Sequence, residues 1–169
     1  MITIINKFFE NIADAIPQIN DFGYGVLTND KNIKDANKYP MLWVNNEFRT
    51  SYNVTQVNNK VMAVTYDFNL WLFDRWGENQ DSPQEAKITQ LSNCEQIAQM
   101  VIILASQLPR GGTVVNPFVK VDFSDGISYI DIFANRLVAC SVGCKITMKS
   151  QDICEITQAD INNVFNITC

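Results

Sequence analysis

Apolar and polar positions along this chain alternate with a period of two over most of its length and follow a helical period over two stretches. In the first helical stretch, Thr3 to Ile16, residues Ile5, Phe8, Phe9, Ile12 and Ile16 recur at three- and four-residue steps. They form one apolar stripe, which Pro17 closes. Gly23 and Gly25 in DFGYGVL predict a kinked strand start that another part of the chain approaches closely. TNDKNIKDANK reads as a polar loop. Tyr39 to Val57 then reads as extended, and Val61 to Trp76 as one unusually long strand. One face of that strand carries Met62, Val64, Tyr66, Phe68, Leu70 and Leu72. The other carries Thr65, Asp67 and Asn69, then turns aromatic at Trp71 and Phe73.

The two extended stretches predict a hairpin around Asn58-Asn59-Lys60. A two-residue loop would set Tyr52 opposite Thr65. A three-residue loop sets Val54 opposite Val64, Tyr52 opposite Tyr66 and Phe48 opposite Leu70. The second register matches apolar to apolar, whereas a one-residue slip reverses every side chain, so the second is expected. At about 3.3 Å per residue the long strand extends roughly 50 Å. That exceeds the width of a domain this size, so part of the hairpin is expected to project from the body.

The second helical stretch begins at Ser82 as N-cap, with Pro83 at the first helical position and Glu85 completing a capping box. Ile88, Leu91, Ile97, Ala98, Val101, Leu104, Ala105 and Leu108 make its apolar stripe, and Pro109 with Gly111-Gly112 ends it. NPFVKVDF, ISYIDIF and LVACSVGCKITMK follow as three alternating runs, with turns at Ser124 to Gly126 and Ala134 to Arg136. The tail EITQADINNVFNITC is a further strand or a docking extension. The order α-β-β-β-α-β-β-β predicts an α+β fold in one domain, residues 1–169. It is a mainly antiparallel β-sheet with two α-helices packed on one face and a long projecting β-hairpin.

Composition narrows the function. Hydrophobic residues are 47% and charged residues 18% of the chain, as in a folded globular protein. No apolar run approaches the roughly 20 residues that span a bilayer, so no membrane partner is expected. The N-terminus lacks the basic start, apolar core and cleavage site of a signal peptide, which implies a cytosolic history and makes the sequons at Asn53 and Asn166 accidental. The net charge of −5 argues against gripping phosphate backbones, although an acidic lining would let DNA slide past. The 5 cysteines, odd in number and widely spaced, argue against a disulfide framework. With 0 histidines, Ser-His-Asp and Cys-His catalysis and His-ligated zinc are removed. Cys140 and Cys144 lie four apart in a strand, roughly 13 Å between sulfurs, too far to ligate one zinc ion, so core packing is expected of them.

Candidate chemistry is sparse. Asp67 and Asp74 have odd spacing on one strand, so they point to opposite faces and make a poor acid/base pair. DFG at Asp21 to Gly23 lacks the other parts of a kinase site, and LPRGG marks a helix C-terminus, the wrong dipole end for phosphate. No glycine-rich phosphate loop or nucleophile elbow occurs. The residues therefore assign no catalytic, cofactor-binding or metal-binding residue and no cofactor. The three tryptophans Trp43, Trp71 and Trp76 cluster on the predicted hairpin strands. They serve either core packing or a subunit interface, and Trp71 with Phe73 on the polar face favours the interface.

IPQINDFGYGVL, YPMLWV, VTYDFNLWLFDRW, an acidic and polar loop, and SPQEAKITQLSNCEQIAQMVI together resemble the tail-terminator and head-to-tail joining proteins of tailed bacteriophages, particularly of Bacteroidetes phages. The resemblance covers residues 4–108; residues 109–169 fit only through their strands. It implies a small α+β subunit of the virion neck, made in the host cytoplasm, with no enzymatic activity. Such subunits form a closed hexameric or dodecameric ring that docks on portal, neck and tail proteins, with genomic DNA passing through without sequence-specific binding. A ring needs a heterologous interface, for which Phe48, Tyr52, Tyr66, Trp71 and Phe73 are the candidate residues. Two other classes stand beside this one. The first is a small-molecule or peptide-binding module using a groove between helix 85–108 and the sheet. The second is an enzyme working through carboxylates and lysines.

Overall fold

The computed structural model describes residues 2–26, 39–54, 61–76, 83–107, 118–132 and 136–149. These form helix α1 (Ile2–Ala15), strands β1 (Asp21–Gly25), β2 (Met41–Asn45), β3 (Arg49–Val54) and β4 (Val61–Arg75), helix α2 (Pro83–Ser106), and strands β5 (Phe118–Ile132) and β6 (Leu137–Lys149). The strands make a sheet of order β1-β2-β4-β6-β5, with β3 also on β4. Pairing is antiparallel between β2 and β4 and between β3 and β4, and parallel between β1 and β2. The class is α+β, as expected. The Ser82 cap, the hairpin turn at 58–60, the helix stop at 108–112 and the C-terminal tail lie outside the described residues.

Two features of the expected topology are corrected. Tyr39 to Val57 is not one strand, because Asn45 and Glu47 close a local turn. The Asn45 carboxamide oxygen accepts from the Glu47 N–H at 3.3 Å, and its Nδ2 donates to the Glu47 carboxylate at 3.3 Å. β2 and β3 therefore take successive stretches of β4, at Leu70–Phe73 and Val61–Asp67. No turn forms at Ser124 to Gly126, where β5 runs straight through. The Ser124 hydroxyl accepts from the Gly143 N–H at 3.0 Å and donates to the Gly126 carbonyl at 3.1 Å, tying β5 to β6 where a reversal was expected.

The hairpin register is corrected too. Tyr52 faces Val64 and Thr50 faces Tyr66, two residues from the expected pairing, with a register shift between Asn53 and Val54. A two-residue displacement keeps every side chain on its face, so the face assignment survives although the partners change. The projecting hairpin is not supported. β4 has neighbours in the sheet along its length, and this accounts for its reach of 15 residues.

The chain divides into two compact units. The first comprises Met1–Phe48, Phe68–Leu108 and Asp122–Cys144. Here α1 buries Ile5, Phe9, Ile12 and Ala13 against the sheet, and the Phe9 ring meets Phe68 edge-on at 5.9 Å. α2 buries Cys94, Ile97, Ala98, Val101 and Ala105. Its expected stripe is wrong at Ile88, which is 61% exposed, because the buried line runs through smaller residues one step around the helix. On the same sheet face lie Leu42, Val44, Leu70, Leu72, Val138 and Cys140, all buried. The opposite face has its own apolar cluster of Tyr39, Met41, Trp43, Phe73, Leu137 and Ala139, with Trp71 packed against it. Trp43 lies over β1, where a Cβ at Gly23 would sit 2.3 Å from the indole, and its Nε1 donates to the Gly25 carbonyl at 3.1 Å. The close approach expected of DFGYG is thus the indole of Trp43. The second unit comprises Arg49–Asp67, Pro109–Val121 and Lys145–Cys169. In it Val64, Tyr66, Phe118, Ile146 and Met148 are buried, while Thr65 and Thr147 share a hydrogen bond at 2.9 Å and Lys145 pairs with Asp67 at 3.4 Å.

Candidate functional site

From Phe68 on, the even residues of β4 face the helices, and the last of them is an acid. After Phe68, Leu70 and Leu72, period-two geometry turns Asp74 to the same side, where it is 6% exposed. Above it α2 presents Gln90, Asn93, Ile97 and Met100 at steps of three and four, the spacing of one helix face, with Gln96 beside them. The α1–β1 connection contributes Gln18, and the cis Tyr39–Pro40 bond brings up Pro40. The Asn20 N–H holds the Pro40 carbonyl at 2.8 Å. These side chains line a cleft of about 450 Å³, a size suited to a small organic ligand.

Electrostatics in the cleft centre on Asp74. Among the described residues its carboxylate has one hydrogen bond, from the Arg75 N–H to Oδ1 at 2.7 Å, and no ion pair. Burial raises its carboxyl above the usual value, and the Arg75 N–H opposes this only in part. Asn93 Nδ2 donates to Gln90 Oε1 at 3.0 Å, which leaves the Asn93 carbonyl oxygen outside that bond. The cleft therefore combines one desolvated negative charge, amide groups able to donate and accept, and an apolar wall of Pro40, Ile97 and Met100.

Behind Asp74, Cys94 of α2 and Cys140 of β6 are buried together. A hydrogen bond with Cys140, then burial, pushes the Cys94 thiol far up, so it stays protonated and is no nucleophile at neutral pH. Cys140 and Cys144 are both buried on the helix-facing side of β6, the core role expected of them. Among the described residues no three Cys, Asp or Glu side chains gather as metal ligands.

The residues expected at a subunit interface are divided between the two units. Phe48 is half-buried and its ring lies 4.8 Å from Phe68, in the core of the first unit. Phe73 is 2% exposed within the opposite-face cluster. Trp71 is half-buried and stacks on Phe73 at 6.0 Å and 10°. Its indole N–H is buried with no hydrogen-bond partner. In the second unit Tyr66 is buried, which raises its phenol above the ordinary value, while Tyr52 is 60% exposed. The aromatic end of the second β4 face is thus answered inside the chain, where Phe73 pairs with Met41 and Trp71 with Trp43 across β2.

The sequence reading passed over Asp74 as a site residue. The signal was present: it ends an unbroken apolar series at the same parity, an acid where a core side chain is expected. No family model matches the chain, and no curated protein matches it.

Proposed function

We propose that the protein is a structural, non-catalytic subunit of a closed ring in the neck of a tailed phage particle, as its resemblance to tail-terminator and head-to-tail joining proteins implies. The observation that carries this reading is the set of large apolar side chains left outside the fold. In the first unit Tyr24, Ile88, Ile103 and Tyr129 are 59%, 61%, 55% and 51% exposed, and in the second Tyr52 is 60% exposed. Tyrosines of this kind are enriched where subunits meet, and a ring covers two different patches on each copy. The acidic balance of the chain suits a lumen through which DNA passes without being held. Hexameric and dodecameric rings fit these observations equally. Portal-side and tail-side proteins of the same particle are the expected partners, and the virion neck the expected location.

Native mass spectrometry with size-exclusion and light scattering tests the reading. The expected result is a discrete ring mass, lost in Tyr52→Asp and weakened in Trp71→Asp with the circular dichroism unchanged. A particle reconstruction that places this chain outside any ring overturns it.

A second reading, a small-molecule-binding module, is favoured by one observation, the cleft with Asp74 at its base, whose carboxylate has no ion pair among the described residues. A groove between α2 and the sheet is where a module of that class would hold its ligand. The two readings are compatible in one chain.

A further inference from the structure

We infer that the cleft under α2 binds the primary ammonium end of a short alkyl amine, held on Asp74, an inference that rests on the small-molecule reading of the cleft. The carboxylate of Asp74 belongs to a residue more than nine-tenths buried, it lines the cleft, and no cation among the described residues pairs with it. A buried charge without a partner is costly, and natural structures pair it or neutralise it. Among the described residues its one compensation is a single backbone N–H, which leaves the charge unanswered by them.

The kind of cation follows from the donors around it. A guanidinium seeks both carboxylate oxygens at once through its planar fork. Asp74 Oδ1 already accepts from the Arg75 N–H, so only Oδ2 is wholly open and a bidentate fork would have to share Oδ1. A divalent ion needs about six or more oxygens, usually with several carboxylates, and the cleft has one carboxylate. An ammonium group is compact and carries three donors that rotate freely. One meets Asp74 Oδ2, and the Asn93 carbonyl, free of the Gln90 contact, and the amide of Gln18 or Gln96 are the acceptors within the cleft for the others. The alkyl part then lies against Pro40, Ile97 and Met100, which explains why polar and apolar side chains share one small cleft.

The test uses n-butylammonium, with butanol as its neutral counterpart and butyrate as its anionic one, each titrated into the full-length ¹⁵N-labelled protein. Butylammonium is expected to shift the resonances of Gln90, Asn93 and Gln96 saturably, while butanol and butyrate leave them in place. Affinity should fall by about tenfold or more in Asp74→Asn, which loses a charge-assisted hydrogen bond. Asp74→Asn relieves a buried charge and so should fold. Asn93→Leu, at an exposed helix position, provides a second variant and should weaken binding by a few-fold. Equal binding of butanol or butyrate, or full affinity in Asp74→Asn, overturns the ammonium assignment and leaves the cleft as a site of another ligand class. No saturable shift with any of the three overturns both the assignment and the small-molecule reading, and leaves the ring untouched.

Discussion

α1 and α2 lie on the same face of the sheet yet bury themselves in different ways. α1, with 14 residues, packs one stripe of large side chains, Ile5, Phe9 and Ile12, and turns the Lys7–Glu10 pair to the outside. α2, with 24 residues, buries Ile97 and Val101 but otherwise rests on small residues, Ala86, Cys94, Ala98 and Ala105. Several of its larger residues go elsewhere. Ile88 and Ile103 face outward, and Met100 joins the amides at the cleft. A helix that spends its bulk inward serves stability. One that keeps its bulk for its surfaces has surfaces to serve, and both functional readings draw on α2.

Substitutions can break or sharpen that contrast. The largest effect is expected in α1: Phe9→Ala removes a ring in contact with Phe68 and should cost about 3–5 kcal/mol in urea denaturation. A loss near zero would place the stabilising helix elsewhere. In α2 the sensitive direction at most buried positions is the reverse, since four of them, Ala86, Cys94, Ala98 and Ala105, are small. Ala98→Leu should cost about 1–3 kcal/mol through overpacking against the sheet, read as a lowered midpoint with unchanged slope.

A smaller and pH-dependent effect is expected at Asp74. Because its folded carboxyl lies above the ordinary value of 3.8, the group's contribution to stability is fully present below that value and is lost as pH rises through the folded one. Cys94, packed behind it with its thiol held far above the ordinary value, stays neutral over that range. Asp74→Asn should therefore be more stable than the parent at pH 7, with the difference vanishing near pH 3, as read from denaturation midpoints at the two values. The smallest effect is expected on the outer face of α2, where Ile88→Ser should change stability by no more than about 0.5 kcal/mol. If it instead shifts an oligomer to monomer in light scattering, the exposed residues of α2 belong to the subunit contact.

The α+β class, both helices and the helix-facing residues of β4 were legible because each rests on a local period. The even residues from Phe68 to Leu72 are all apolar, and the parity carries on to Asp74 even where the residue type changes. Other features were hidden because distant residues decide them. Asn45 and Glu47 break an extended run through side-chain bonds that a period-two pattern does not register. Ser124-Asp125-Gly126 has the composition of a turn, yet it is held straight by Gly143, 17 residues beyond Gly126. The aromatic pair Trp71 and Phe73 looked like spare surface until β2 supplied Trp43 and Met41 opposite.

Sequence alone determined the helix-facing side of β4, where α1 begins and ends to within a residue, that the opening of α2 falls at Pro83, and that the strand start at Gly23 is closely approached. These follow from steric and hydrophobic rules acting within a few residues. Only the tertiary structure decided that one carboxylate, several amides and three apolar side chains from four separate segments meet around a single cleft. Each of them is ordinary in its own segment, and the desolvation of Asp74 arises only when the helix is laid over the end of the strand.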